Sequence, residues 1–213
     1  MKAWLIILMT AGFFISYSKE SADEITKILA KYRSAKLVEM KVEKKIRSEW
    51  KTKDQIFEGK VYYSKGKFRW ENHTPEKNWT IYNGKTLWNI QFASPDFPGK
   101  NKVTKSKITK KNRGQILLMS LIDVQSLSEK FKVTKDKKGN FLELALEPLE
   151  KDPSVQNLKL TLDLKSETIQ SLSFQDDIGN KTEIFFQDIE FRNVKMTEKF
   201  DYLPTRNDEV TQI

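Results

Sequence analysis

The chain has 213 residues, a formal net charge of +9, no cysteine and a single histidine. Hydrophobic residues make up 38% and charged residues 31%, which suits one domain with a modest core and shows no composition break that would mark a second. Disulfides, thiol nucleophiles and cysteine metal sites are excluded, and with His73 alone so are zinc sites and Ser/His nucleophiles.

Met1-Lys2 and the apolar run from Ala3 to Ile15 read as a secretory leader. The start is basic, and the apolar core is shorter than the ~20 residues a bilayer crossing needs. Ser16-Tyr17-Ser18 offers small residues at a cleavage site. The expected organisation is a signal peptide over 1–18 and one domain over 19–213, with an uncleaved anchor as the other reading. Without a cysteine at the cleavage site the mature chain carries no lipid anchor there, and it is expected to be exported and soluble. Lys100, Lys102, Lys105, Lys107, Lys110, Lys111 and Arg113 form the densest basic cluster, a bias toward anionic surfaces.

Ser21-Ala22-Asp23-Glu24 fits a capping box, and Ile25, Ile28, Leu29 and Tyr32 repeat at helical spacing. From Leu37 the period becomes two, so a long strand with one wet face follows, running toward Trp50. Further strands are predicted over 55–63, 68–72, 79–82, 86–92 and 103–108. Asn83-Gly84 predicts a tight hairpin turn. Ile116-Leu117-Leu118-Met119-Ser120-Leu121-Ile122 reads as a short helix, apolar nearly all round. A meander completes the chain, with strands over 141–147, 158–164, 169–174 and 182–187. Hairpin-length connections predict an antiparallel sheet whose polar side needs no covering layer.

A sheet of roughly ten strands must curl or close as it grows. The fold class expected is mainly β (α+β): an incompletely closed, strongly curved antiparallel barrel or half-barrel with a small helical lid. Its concave side encloses either a packed core or an apolar cavity, and periodicity does not separate the two.

His73 lies in a polar loop with no ligand or base partner spaced around it, and carboxylate pairs such as Asp176/Asp177 sit in turns. An enzyme is not expected, nor a metal or cofactor site. Glycine-rich phosphate loops are absent. Trp70, Trp79 and Trp88 have the chemistry to stack bases, but export argues against a nucleic-acid partner.

The block Gly66-Lys67-Phe68-Arg69-Trp70 followed by Asn83-Gly84-Lys85-Thr86-Leu87-Trp88 resembles the signature of the periplasmic outer-membrane lipoprotein carrier family, LolA. Asp176–Asn180 and the ending Phe200-Asp201-Tyr202-Leu203-Pro204 with Val210 are similar to later motifs of that family, in the same order. The resemblance implies a monomeric carrier that binds lipoprotein acyl chains. It would receive its cargo from an inner-membrane lipoprotein-releasing ABC transporter and deliver it to an outer-membrane acceptor lipoprotein. A lipid-sensing or envelope-binding module on the same fold, or a carrier of another envelope lipid, is the alternative. The acyl-chain cavity and lid are expected from Phe68, Trp70, Trp79, Ile81, Trp88, Ile116, Leu118 and Leu121, with Phe68 also matching the family's transporter-contact phenylalanine. Ser64 and Lys65 stand where family members commonly carry the Arg-Pro whose arginine latches the lid. A loosely held lid follows as an expectation, because serine cannot reproduce a five-donor guanidinium.

Overall fold

Alternating apolar residues set the architecture, since each strand buries one face and needs neighbours on both edges. The computed structural model describes residues 16–48, 50–96, 98–109, 112–150 and 155–213. The expected leader lies for the most part outside the described residues. Helix α1 (Ser16–Ser34) starts upstream of the predicted capping box and leads into strands β1 (Leu37–Arg47), β2 (Gln55–Ser64), β3 (Lys67–Thr74), β4 (Asn78–Tyr82), β5 (Leu87–Gln91) and β6 (Asn101–Ser106). Helix α2 (Leu117–Asp123) follows, then β7 (Phe131–Lys138), β8 (Phe141–Pro148), β9 (Gln156–Asp163), β10 (Thr168–Gln175), β11 (Lys181–Arg192) and β12 (Asp208–Gln212).

All twelve strands belong to one sheet, in the order β12-β6-β5-β4-β3-β2-β1-β11-β10-β9-β8-β7. Every adjacent pair is antiparallel except β12, which runs parallel to β6. The end strands β7 and β12 do not pair with each other, so the sheet remains an open half-barrel. The fold class expected from sequence is the one observed. Two strands are additional. β7 is polar after Val133 and β12 is short and polar, so neither shows the period-two signal.

Of the two expected hairpin turns, one is tight and the other is longer than expected. Lys65-Gly66 forms the two-residue turn between β2 and β3, with φ of 41° and 76°. Two positive φ values in succession match the right-handed twist of the flanking strands. Asn83-Gly84 lies in a longer loop instead. Only Gly84 has a positive φ there, and the Asn83 side chain accepts from the backbone N–H groups of Lys85 and Thr86.

One apolar cluster joins the inner face of the sheet to both helices. It contains Ile25, Ile28, Leu29 and Tyr32 of α1, Leu118, Leu121 and Ile122 of α2, and strand residues from Met40 and Val61 through Leu144, Leu160 and Phe186. Side chains fill this space, so the described conformation has a packed interior. The outer face is not uniformly wet. The segment after β11 crosses it, seating Phe200 against Leu37 and Tyr62, and Tyr202 against Trp88.

Candidate ligand-binding site

Cross-strand register decides which aromatic residues share a face. Val38, Tyr63, Phe68, Tyr82 and Leu87 are successive partners across β1 to β5, and all lie on the helix side. Arg69 pairs with Ile81 and Ile81 with Trp88; Glu71 pairs with Trp79 and Trp79 with Ile90. That second set lies on the outer side. Phe68, Trp70, Ile116, Leu118 and Leu121 therefore pack in the interior cluster, whereas Trp79, Ile81 and Trp88 form a separate outer cluster with Ile90 and Val103. Placing those three in the cavity is thus corrected. The motif spaces its aromatics at both odd and even positions, and alternation then sends them to opposite faces. No side-chain partner is found for Nε1 of either Trp79 or Trp88 among the described residues.

The outer cluster has a polar border. Arg69 and Glu71, each 8% exposed, form a buried ion pair beside Trp79. Arg69 also donates to the Lys199 carbonyl at 3.0 Å, tying the C-terminal segment to the sheet. His73 belongs to β3 rather than a loop, and its Nε2 lies 3.4 Å from the Glu71 carboxylate. Among the described residues, no group of three or more His, Cys, Asp or Glu could hold a metal ion.

Helix α2 covers the interior, and residues the sequence reading missed hold it down. Arg33, in the last turn of α1, donates from Nη1 to the carbonyls of Ile122 (3.0 Å) and Val124 (2.8 Å). A cation here satisfies terminal carbonyls of α2 and complements its dipole. The Tyr63 hydroxyl donates to the Asp123 carboxylate. Burial, and then Asp123 itself, pushes the Tyr63 pKa up, so the phenol stays a neutral donor. Ser64 instead donates to the Lys36 carbonyl at 2.6 Å, and Lys65 occupies the hairpin turn. Neither is bonded to α2. An arginine from a different element, Arg33, reaches α2 instead. The signal in the sequence was Arg33 one helical turn past Leu29, but only the packing of α1 on α2 gives it a target.

The interior is sealed unevenly. Both helices crowd the end of the sheet marked by Tyr63, Phe68 and the β9–β10 turn, where Lys27 and Lys31 of α1 meet Ser166 and Glu167. Toward the opposite end, inner-face residues Lys44, Ile46, Phe57, Trp70 and Phe174 are only half-buried. A cleft of about 250 Å³ opens there beside α2, between Leu117, Ser120, Phe131, Pro148, Leu149 and Val155. Loops at this open end carry Trp50, Leu149 and Ile178, exposed by 84%, 63% and 65%.

An open half-barrel with an apolar inner face and a short, polar-latched helix across it defines a helix-lidded shell. The chain belongs to the family described as "Outer membrane lipoprotein carrier protein LolA", which matches residues 34–202. Among curated relatives, the outer-membrane lipoprotein carrier protein of Azotobacter vinelandii is 24% identical over 147 residues, covering 69% of this chain and 67% of that protein. The protein of the same name from Pseudomonas aeruginosa is 29% identical over 136 residues, covering 64% of this chain and 59% of that one. The aligned part of the chain thus spans about three-fifths to two-thirds of these relatives. A crystal structure of an uncharacterized conserved protein from Thermus thermophilus shares the fold, with a TM-score of 0.53, 15% identity and coverage of 91% of this chain and 99% of that one. The family is one of carriers and not of enzymes. No helix among the described residues is long and apolar enough to cross a membrane.

Proposed function

We propose that this protein is a periplasmic carrier that shields lipoprotein acyl chains between the inner face of its sheet and helix α2. The observation that carries the reading is one continuous apolar cluster whose cover is seven residues long and held to its surroundings by Arg33 and Tyr63. Each buried CH₂ of an acyl chain is worth about 0.8 kcal/mol, so a few chains displacing α2 offset the loss of its packing. Phe68, Trp70, Ile116, Leu118 and Leu121 would then line the chains. Release to an acceptor needs no further chemistry, because apolar contacts are non-directional and α2 refills the space. The names of the relatives support lipoprotein as cargo. Receipt from an inner-membrane ABC transporter, delivery to an outer-membrane acceptor lipoprotein and a monomeric state belong to the same proposal.

The test is release of lipoprotein from spheroplasts that contain the partner transporter. The purified protein should bring lipoprotein into the soluble fraction, and Leu118→Glu should bring less while retaining the far-UV circular dichroism of the parent. Absence of any release by the parent would refute the carrier reading.

A further inference from the structure

The inner face carries one feature that a purely acyl-binding surface does not need. Lys44 occupies the inner row of β1 between Val42 and Ile46, and its cross-strand partners are Ile184 on β11 and Phe57 on β2. Its ammonium sits over the Phe57 ring at 4.6 Å and the Trp70 ring at 5.6 Å. No carboxylate pairs with it among the described residues. Of the neighbouring acids, Glu43 pairs with Glu58 and Glu183 pairs with Lys45, positions that alternation turns to the outer face. Burial pushes the Lys44 pKa down, as expected of a cation without a counter-ion.

Beside this cation the inner face changes character. Trp70 donates from Nε1 to Asn72 Oδ1 at 2.7 Å, Asn72 donates to Asn78 Oδ1 at 2.8 Å, and Thr80 donates to Asn89 at 3.0 Å. The apolar surface under the helices thus gives way to a lysine on β1 and, across β3 to β5 in the register rows of Val42 and Met40, to amides and hydroxyls. A cation and a polar flank bordering an apolar surface match an amphiphile with its chain on that surface and its head at Lys44. A cation retained half-buried among aromatic rings costs free energy unless an anion meets it.

We propose that Lys44, seated on Phe57 and Trp70, receives the anionic group of an amphiphile, a carboxylate or a phosphate, whose chain extends past Val42 under the displaced α2. This rests on the carrier reading and adds a head-group preference to it. Charge-assisted hydrogen bonds are short and strong, so the anion should improve binding about tenfold or more over a neutral head on the same chain.

The experiment compares cis-parinaric acid with its methyl ester, two fluorescent probes that differ only in charge. The parent should bind the acid about tenfold more tightly than the ester. Lys44→Met should lose that preference by weakening acid binding alone, and Lys44→Arg should keep it. Urea midpoints of the three proteins verify that each is folded. Displacement of the ester by palmitate or by hexadecyl phosphate should be stronger than by hexadecanol, and the better competitor identifies the anion. Equal binding of acid and ester by the parent overturns the head-group site and leaves the carrier reading standing. So does an equal loss of both probes in Lys44→Met, which would assign Lys44 to packing. Binding of neither probe by the parent overturns both.

Discussion

Replacing Arg33 with methionine tests how α2 is held. Methionine keeps much of the apolar stem of the side chain and removes the guanidinium, and with it the bonds to the Ile122 and Val124 carbonyls. Hydrogen bonds that involve a charged group contribute about 1.5–3 kcal/mol each in net terms. Water can partly replace them here, because Arg33 is itself half-buried. Local opening of α2 should therefore become easier by about 2–3 kcal/mol, less than the roughly 3–6 kcal/mol that two such bonds contribute without water to replace them. Every 1.4 kcal/mol is tenfold in an equilibrium, so amide exchange across 117–123 should accelerate by roughly 30- to 150-fold. Exchange in β8 to β10 should change far less, since opening a lid differs from global unfolding. Ser64→Ala provides the contrast. Its hydroxyl serves Lys36, so the amides of α2 should exchange within about twofold of the parent rate. Hydrogen-exchange mass spectrometry on the three proteins decides the matter. Protection of α2 unchanged in Arg33→Met would refute the latch, and a large loss in Ser64→Ala would return that role to the family position.

A Cβ added at Gly59 would lie 1.8 Å from the Glu71 carbonyl oxygen, so Gly59→Ala should push β2 and β3 apart and cost at least about 1–3 kcal/mol, read as a lowered urea midpoint. Arg69→Met leaves Glu71 buried without its partner and should cost about 3–5 kcal/mol by urea melts, whereas Arg69→Met with Glu71→Leu should recover much of that loss. An equally unstable double variant would show that the bond to Lys199 matters more than the pair. Hydrogen bonds from Arg47 and then Lys45 lower the Asp54 pKa from 3.8 to about 2. The stabilisation is therefore complete above the ordinary carboxylate range and is lost as pH falls from 3.8 through about 2. Exchange of the amides from 50 to 54 should rise in that window for the parent, and Asp54→Asn should abolish the pH dependence.

Local pattern alone carried the elements whose signal is repetitive. The leucines at 142, 144 and 146 and at 158, 160 and 162 alternate strictly, and their strands sit where alternation puts them because each buries one face. The apolar run 116–122 became α2, and the Gly66–Trp88 block carried the family. What sequence could not settle was the face of each aromatic in that block. Phe68 and Trp70 turn inward while Trp79, Ile81 and Trp88 turn outward, and both faces are apolar because the C-terminal segment returns to cover the second. That return rests on the buried Arg69 and on the parallel pairing of β12 with β6, contacts between residues more than 100 positions apart. The latch has the same origin. Ser64, expected at the latch position, bonds the Lys36 carbonyl, and a guanidinium reaches α2 from Arg33, 89 positions before the Ile122 carbonyl it caps. Spacing along a chain fixes periods and turns; which side chain meets which carbonyl is decided when α1 and α2 pack together, because hydrogen bonds depend on distance and direction in space.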